Sequence, residues 1–169
     1  ARGGSGRVIL ANILREGFDP AAVTVIKPGA ETIDGVRCVP DLASLPGRVD
    51  LLVVVLPAAA TPAFVAEAIE RDAAASIIVI PGGLEEKAGG DVHAQRMRES
   101  LAAARATPGG GPVINGGNCL GIRSRPGRYD TLFIPGAKLP PGTRPAPVAL
   151  VTGSGAFAIT RLSRLAPLD

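Results

Sequence analysis

The chain has no tryptophan, one tyrosine and four phenylalanines in 169 residues. A surface for single-stranded nucleic acid needs aromatic platforms, so this scarcity weighs against one. Two cysteines, Cys38 and Cys119, and one histidine, His93, are the whole stock of soft metal ligands apart from a single methionine. No disulfide framework follows, and no spacing suits zinc. Long hydrophobic runs are also missing. The longest, residues 51–60, is broken by Pro57 and falls far short of the roughly 20 residues of a membrane span. The N-terminus has no apolar signal core, so secretion is not indicated. Charge is balanced, with 18 basic and 15 acidic residues for a net +3, which does not suit an electrostatic nucleic-acid binder. The expectation is a cytoplasmic protein with neither nucleic acid nor membrane as partner.

Glycine and proline are abundant, at 22 and 16 residues. That is roughly twice the usual share, and they punctuate apolar runs instead of forming a tract. Ile9/Ile13 and Leu10/Leu14 repeat at helical spacing until Gly17. Val23 to Ile26 reads as a strand closed by Lys27-Pro28-Gly29, and Asp41 to Leu45 as a helical turn. Residues 50–56 form a continuous run rich in valine and leucine, the mark of a parallel strand buried on both faces. Thr61 suits an N-cap with Pro62 at the first helical position, and Phe64, Val65, Ala68 and Ile69 continue a helical stripe. Residues 76–80 read as a second buried strand, 91–106 as a helix of mixed charge, and 112–115 as a short strand. The order predicts a Rossmann-like α/β fold, a doubly wound parallel sheet with helices on both faces. The strand that should precede the first glycines is missing.

Ligands on such sheets bind at the carboxyl ends of the strands. Those ends are Lys27-Pro28, Leu56-Pro57-Ala58, Pro81-Gly82-Gly83 and Gly116-Gly117-Asn118, all small or turn-forming apart from Lys27 and Leu56. Gly3-Gly4-Ser5-Gly6 at a helix start offers backbone N–H groups to a phosphate; its plain alternative is a flexible terminus. Lys27 stands where a NAD enzyme carries an acid, so a cation there favours an extra phosphate, as in coenzyme A or NADP. Gly153-Ser154-Gly155 opens another helix as a candidate anion site, without the spacing of a nucleophile elbow. Cys119 reads as a small residue in a tight turn, and Asn118 as fixing that turn through backbone bonds. His93 reads as a solvent-facing helix residue, Cys38 as core or edge, and Arg123, Arg125 and Arg128 as a solvated loop or phosphate contacts.

Beyond this point the chain changes character. Six prolines fall between residues 123 and 147. Residues 147–152 then read as a new strand and 156–165 as a new helix. One such unit cannot bury its own apolar face, so the chain is expected to be a piece of a longer protein. The expected divisions are residues 1–122, a proline-rich linker over 123–146, and the start of a second domain over 147–169.

Five stretches in order resemble the NDP-forming acyl-CoA synthetases (acetate–CoA ligase, ADP-forming) and, more distantly, the α subunit of succinyl-CoA synthetase. They are Gly6-Arg7-Val8-Ile9-Leu10 through Gly17-Phe18; Val25-Ile26-Lys27-Pro28 with residues 33–40; residues 49–57; Asn118-Cys119-Leu120-Gly121; and residues 148–156. The chain departs from the family at Gly117, where proline is usual, and at Thr152 and Gly153, where serine and glutamine are usual. The resemblance implies a CoA-binding domain followed by the start of a flavodoxin-like ligase domain. In full enzymes acid, CoA and ATP become acyl-CoA, ADP and phosphate through an acyl phosphate and a phosphohistidine. It implies CoA phosphates near Gly3, Gly4, Ser5, Gly6 and Lys27. The pantetheine arm would cross Leu56, Pro57, Ala58, Pro81, Gly82 and Gly83, with the thiol toward Asn118 and Ser154. Ser154-Gly155 matches the helix start that steadies the phosphohistidine. That histidine lies downstream of Asp169, and His93 matches no family position, so no catalytic residue is expected within the chain. ATP, ADP and Mg would belong to ligase and nucleotide-grasp domains, or a subunit, outside it; homo-oligomerisation is open. An NADP-binding oxidoreductase module, a non-catalytic CoA sensor and the CoA-binding part of a protein acyltransferase are the alternatives.

Overall fold

The computed structural model describes residues 4–84, 89–140, 142 and 147–165. In chain order these form α1 (Ser5–Arg15), β1 (Val25–Ile26), β2 (Thr32–Ile33), β3 (Val36–Val39), β4 (Val49–Val54) and α2 (Thr61–Glu70). They continue with β5 (Ala74–Val79), α3 (Asp91–Arg105), β6 (Val113–Asn115), β7 (Arg123–Ser124), β8 (Tyr129–Asp130) and α4 (Gly155–Leu165). The architecture is mixed α/β, as the sequence predicts. Two compact units are present. One is Pro20–Cys119; the other joins Ala1–Asp19 to Leu120–Asp169. These divisions cut the chain elsewhere than the expected 1–122, 123–146 and 147–169.

The Pro20–Cys119 unit is built on a parallel sheet ordered β4-β5-β6, with Leu52, Ile77 and Ile114 in one row. Both crossovers step across the sheet in the same direction. Right-handed connection then puts α2 and α3 on one face, and the two helices pack together. Val65 and Ala68 of α2 are buried in one cluster with Leu52, Val54, Ile77 and Val79. Central β5 is the strand buried on both faces: Ile77, Ile78 and Val79 are consecutive and all buried. β4 was expected to match it. Instead it alternates, with Leu52 and Val54 buried, Leu51 and Val53 half-buried and Asp50 exposed, because β4 lies at an edge of this three-stranded order.

β1 does not join that sheet. It pairs in parallel with β3, which pairs antiparallel with β2. The β2–β3 connection is Asp34-Gly35, both at positive φ (52° and 82°). Asp-Gly between paired strands is a strong hairpin signal, since both positions of a type I′ turn need φ > 0. The expected turn at Asp41–Leu45 is a 3-10 helix over Leu42–Ser44, capped by Asp41, whose Oδ1 accepts from the Ser44 N–H at 2.9 Å.

In the other unit, α1 buries Ile9, Leu10 and Ile13 and ends where predicted, with Gly17 at φ 77°. The buried Asn12 donates from Nδ2 to the Leu132 and Ile134 carbonyls at 2.7 and 2.9 Å. The stretch expected as a linker thus holds an anchored segment that includes the β7–β8 hairpin. The expected strand over 147–152 is absent: among the described residues no partner strand lies beside it, and Val151 is 97% exposed. Strand geometry needs such a partner for its backbone groups. The helix after it forms as predicted, with none of its residues buried.

Candidate functional site

The carboxyl ends of β4, β5 and β6 form one rim of the Pro20–Cys119 unit. After β4 the chain turns at Pro57, whose carbonyl accepts from the Ala60 and Thr61 amides at 2.9 and 3.1 Å. Ala60 is therefore the N-cap, and Thr61 is not the cap the sequence suggested. Thr61 is the first helical residue, fully buried, and its hydroxyl donates back to the Pro57 carbonyl at 3.1 Å. After β5 come Pro81, Gly82 and Gly83. After β6 the chain folds back over the end of β5, where the Asn118 N–H donates to Pro81 O (3.0 Å) and the Cys119 N–H to Val79 O (3.2 Å). These main-chain bonds pin the turn.

Glycine is required at the heart of this fold-back. Gly116 has φ 115°, and a Cβ there would run into the Val79 carbonyl. Gly117, where the resembling family has proline, faces buried Leu84. A Cβ at 117 would lie 3.1 Å from Pro81 O and tighter still against Leu84 Cδ1, so Leu84 fills the space. The exposed surface of the rim is made of Pro57, Gly82, Gly116, Gly117 and Asn118, with Leu56, Ala58, Pro81 and Gly83 half-buried. It carries no bulky polar side chain, so a ligand can lie close to the backbone. Lys27 follows β1 with its amide bonded to Val39 O (2.7 Å) and is itself exposed. A shallow groove of about 250 Å³ between α2 and α3, lined by Pro62, Ala66, Arg96 and Glu99, lies on the helices and not at the strand ends.

The helix N-termini differ in what they offer an anion. At α2 the Thr61 amide is already bonded and Pro62 has none. At α3 the first turn carries Asp91, which repels an anion. α1 is capped by Gly4 with no side-chain bond and no acid in its first turn, so the Ser5 and Gly6 amides have no intrahelical acceptor. Gly3 lies outside the described residues. At α4 the Ser154 hydroxyl accepts from the Phe157 N–H at 3.2 Å, so it serves as the helix cap.

Other predicted residues take different roles. His93 is half-buried, not solvent-facing, and its Nδ1 is buried without a hydrogen-bond partner among the described residues. Cys38 is core; Cys119 is half-buried in the turn. Arg123 and Arg125 are not a solvated loop. Arg123 donates to the fully buried Asp130, and Arg125 to Glu16. Arg128 remains exposed. Among the described residues no cluster of His, Cys, Asp and Glu could hold a metal, and no helix is long and apolar enough to cross a membrane.

Residues 2–125, which include every turn of this rim, match the family described as CoA binding domain. The chain belongs to that family. Acetate–CoA ligase [ADP-forming] II of Archaeoglobus fulgidus is 25% identical over 155 residues, covering 92% of this chain and 21% of that protein. Among solved structures, an acetyl-coenzyme A synthetase of Candidatus Korarchaeum cryptofilum, in complex with phosphate and ADP, superposes with a TM-score of 0.77 at 23% identity. It covers 98% of this chain and 32% of its own. A protein of Pyrococcus horikoshii OT3 superposes with a TM-score of 0.80 at 20% identity, covering all of this chain and 36% of its own. The chain thus has the fold of part of the two solved structures and spans between a fifth and little more than a third of the length of these relatives.

Proposed function

We propose that this chain is the CoA-binding part of an NDP-forming acyl-CoA synthetase-like protein. The observation that carries the reading is the family match over residues 2–125, which takes in the small-residue rim at the ends of β4, β5 and β6. The pantetheine arm crosses Leu56-Pro57-Ala58 and Pro81-Gly82-Gly83, with its thiol end toward Asn118. Lys27 holds the 3′-phosphate. At the α1 N-terminus the Ser5 and Gly6 amides offer backbone N–H groups to a phosphate. Ser154 and Gly155, at the α4 N-terminus, meet the phosphohistidine supplied by the missing ligase domain. Acid, CoA and ATP become acyl-CoA, ADP and phosphate only with the ligase and nucleotide-grasp portions. ATP, ADP and Mg bind in those portions, and this chain alone holds CoA without turnover.

Isothermal titration with CoA, dephospho-CoA and NADPH tests the reading. CoA is expected to bind, and more tightly than dephospho-CoA. NADPH binding with no CoA response overturns the choice in favour of an oxidoreductase module. Lys27→Ala is expected to weaken CoA about threefold to tenfold, the range for one charged contact at an exposed site, and to leave dephospho-CoA unchanged. An unchanged ratio removes Lys27 from the 3′-phosphate.

A further inference from the structure

We propose that the Asn118 carboxamide recognises the pantetheine amide next to the thiol, and that Gly82 is the positioning residue that leaves it room. The proposal rests on the CoA reading. The hydrogen bonds of the turn do not need this side chain, because the Asn118 and Cys119 N–H groups already hold it to Pro81 O and Val79 O. Asn118 sits at φ 57°, a left-handed conformation that asparagine tolerates better than most residues, and its side chain is exposed. Across Pro81–Gly83 and Gly116–Asn118 it is the one polar side chain.

Its placement is set by a neighbour with no side chain. A Cβ built on Gly82 would lie 3.1 Å from Asn118 Oδ1 and 3.4 Å from Cγ. The carboxamide therefore rests directly over Gly82, and an alanine methyl would push it aside by a few tenths of an ångström. A carboxamide both donates and accepts, so it complements the N–H and C=O of a secondary amide. A phosphate offers only acceptors and is better served by a cation or backbone N–H groups, and a thiol is a weak partner. Adenine also presents a donor and an acceptor to a carboxamide. Asn118, however, lies on the strand-end rim that the CoA reading gives to the arm, so the arm's amide is the group assigned to it. 3′,5′-ADP, which carries adenine without the arm, separates the two.

The test is calorimetry on the protein with CoA and with 3′,5′-ADP, which carries phosphates but no arm. Asn118→Gly removes the carboxamide and keeps the backbone conformation without strain. It is expected to weaken CoA about threefold to tenfold, the worth of one neutral hydrogen bond, and to leave 3′,5′-ADP unchanged. Asn118→Asp keeps the shape, loses the donor and is expected to weaken CoA likewise. Gly82→Ala is expected to weaken CoA in the unaltered protein but not in the Asn118→Gly background. CoA binding within twofold of the unaltered protein in Asn118→Gly overturns the assignment. So does an equal loss for both ligands, or a Gly82→Ala effect of the same size in both backgrounds, which would mean that the methyl blocks the ligand directly. An unaltered protein that binds no CoA overturns the parent reading, and this assignment with it.

Discussion

Asp130→Ala is expected to unfold the unit that contains α1 far more readily than its single carboxylate suggests. The Asp130 side chain is fully buried. It accepts from Arg123 Nε and Nη2 at 3.0 and 2.8 Å, from Arg15 Nη2 at 3.2 Å, and from the Leu132 N–H at 2.9 Å. Arg123 has 8% of its side chain exposed, and its remaining bond goes to Leu139 O at 3.0 Å. Truncating Asp130 therefore strands a buried guanidinium, a loss of about 3–5 kcal/mol. Arg15 is 37% exposed, so water replaces most of its share. Arg123→Leu should cost a similar amount by stranding the carboxylate. The double variant Asp130→Ala/Arg123→Leu should cost much less than the two together, because neither member of the buried pair is left without the other, with a coupling on the order of 2 kcal/mol. Urea denaturation followed by tyrosine fluorescence reads the right unit. The only tyrosine, Tyr129, adjoins Asp130 and meets the Phe18 ring edge-on at 5.5 Å. Additive single effects, or a single-variant cost below about 1 kcal/mol, would refute the reasoning.

Three other outcomes are expected. Gly116→Ala should destabilise the Pro20–Cys119 unit by about 3 kcal/mol or more, since it combines a glycine-only φ with overlap on the Val79 carbonyl; thermal melting by circular dichroism measures it. Ser154→Ala removes the α4 cap and should cost that helix about 1 kcal/mol, read as faster hydrogen exchange at the Phe157 amide. Burial raises the Tyr129 pKa above 10.0, because the phenolate loses solvation. The folded state thus keeps this proton more tightly than the unfolded state. The contribution is whole below the ordinary tyrosine pKa and is lost as pH rises through the folded value, so tyrosinate absorbance should appear later in folded protein than in urea.

Much of the fold was legible as periodicity. The repeats before Gly17, the Val65–Ala68 stripe and the 91–106 pattern each became a helix close to the expected bounds. The β5 run became a strand buried on both faces. The Asp34-Gly35 pair is a hairpin signal, but its flanking strands, two and four residues long, are too short to show an alternation. The rim of small residues at the strand ends was also readable, since glycine and proline after an apolar run mark a strand's end whatever surrounds it. The Arg123 and Arg125 partnerships were not. Their carboxylates are seven and 109 residues away in the chain, and no local pattern announces a pair at such separations.

The sequence by itself determined the helices α1, α2 and α3, the buried run of β5 and the small residues at the strand ends. Those properties follow from local sterics and from the spacing of apolar side chains. Tertiary structure alone decided which strand paired with which, that 147–152 formed no strand, that Leu84 fills the space beside Gly117, and that Asn118 stands over Gly82. Each of these is a contact between distant parts of the chain. Its free energy depends on geometry that only the folded backbone supplies.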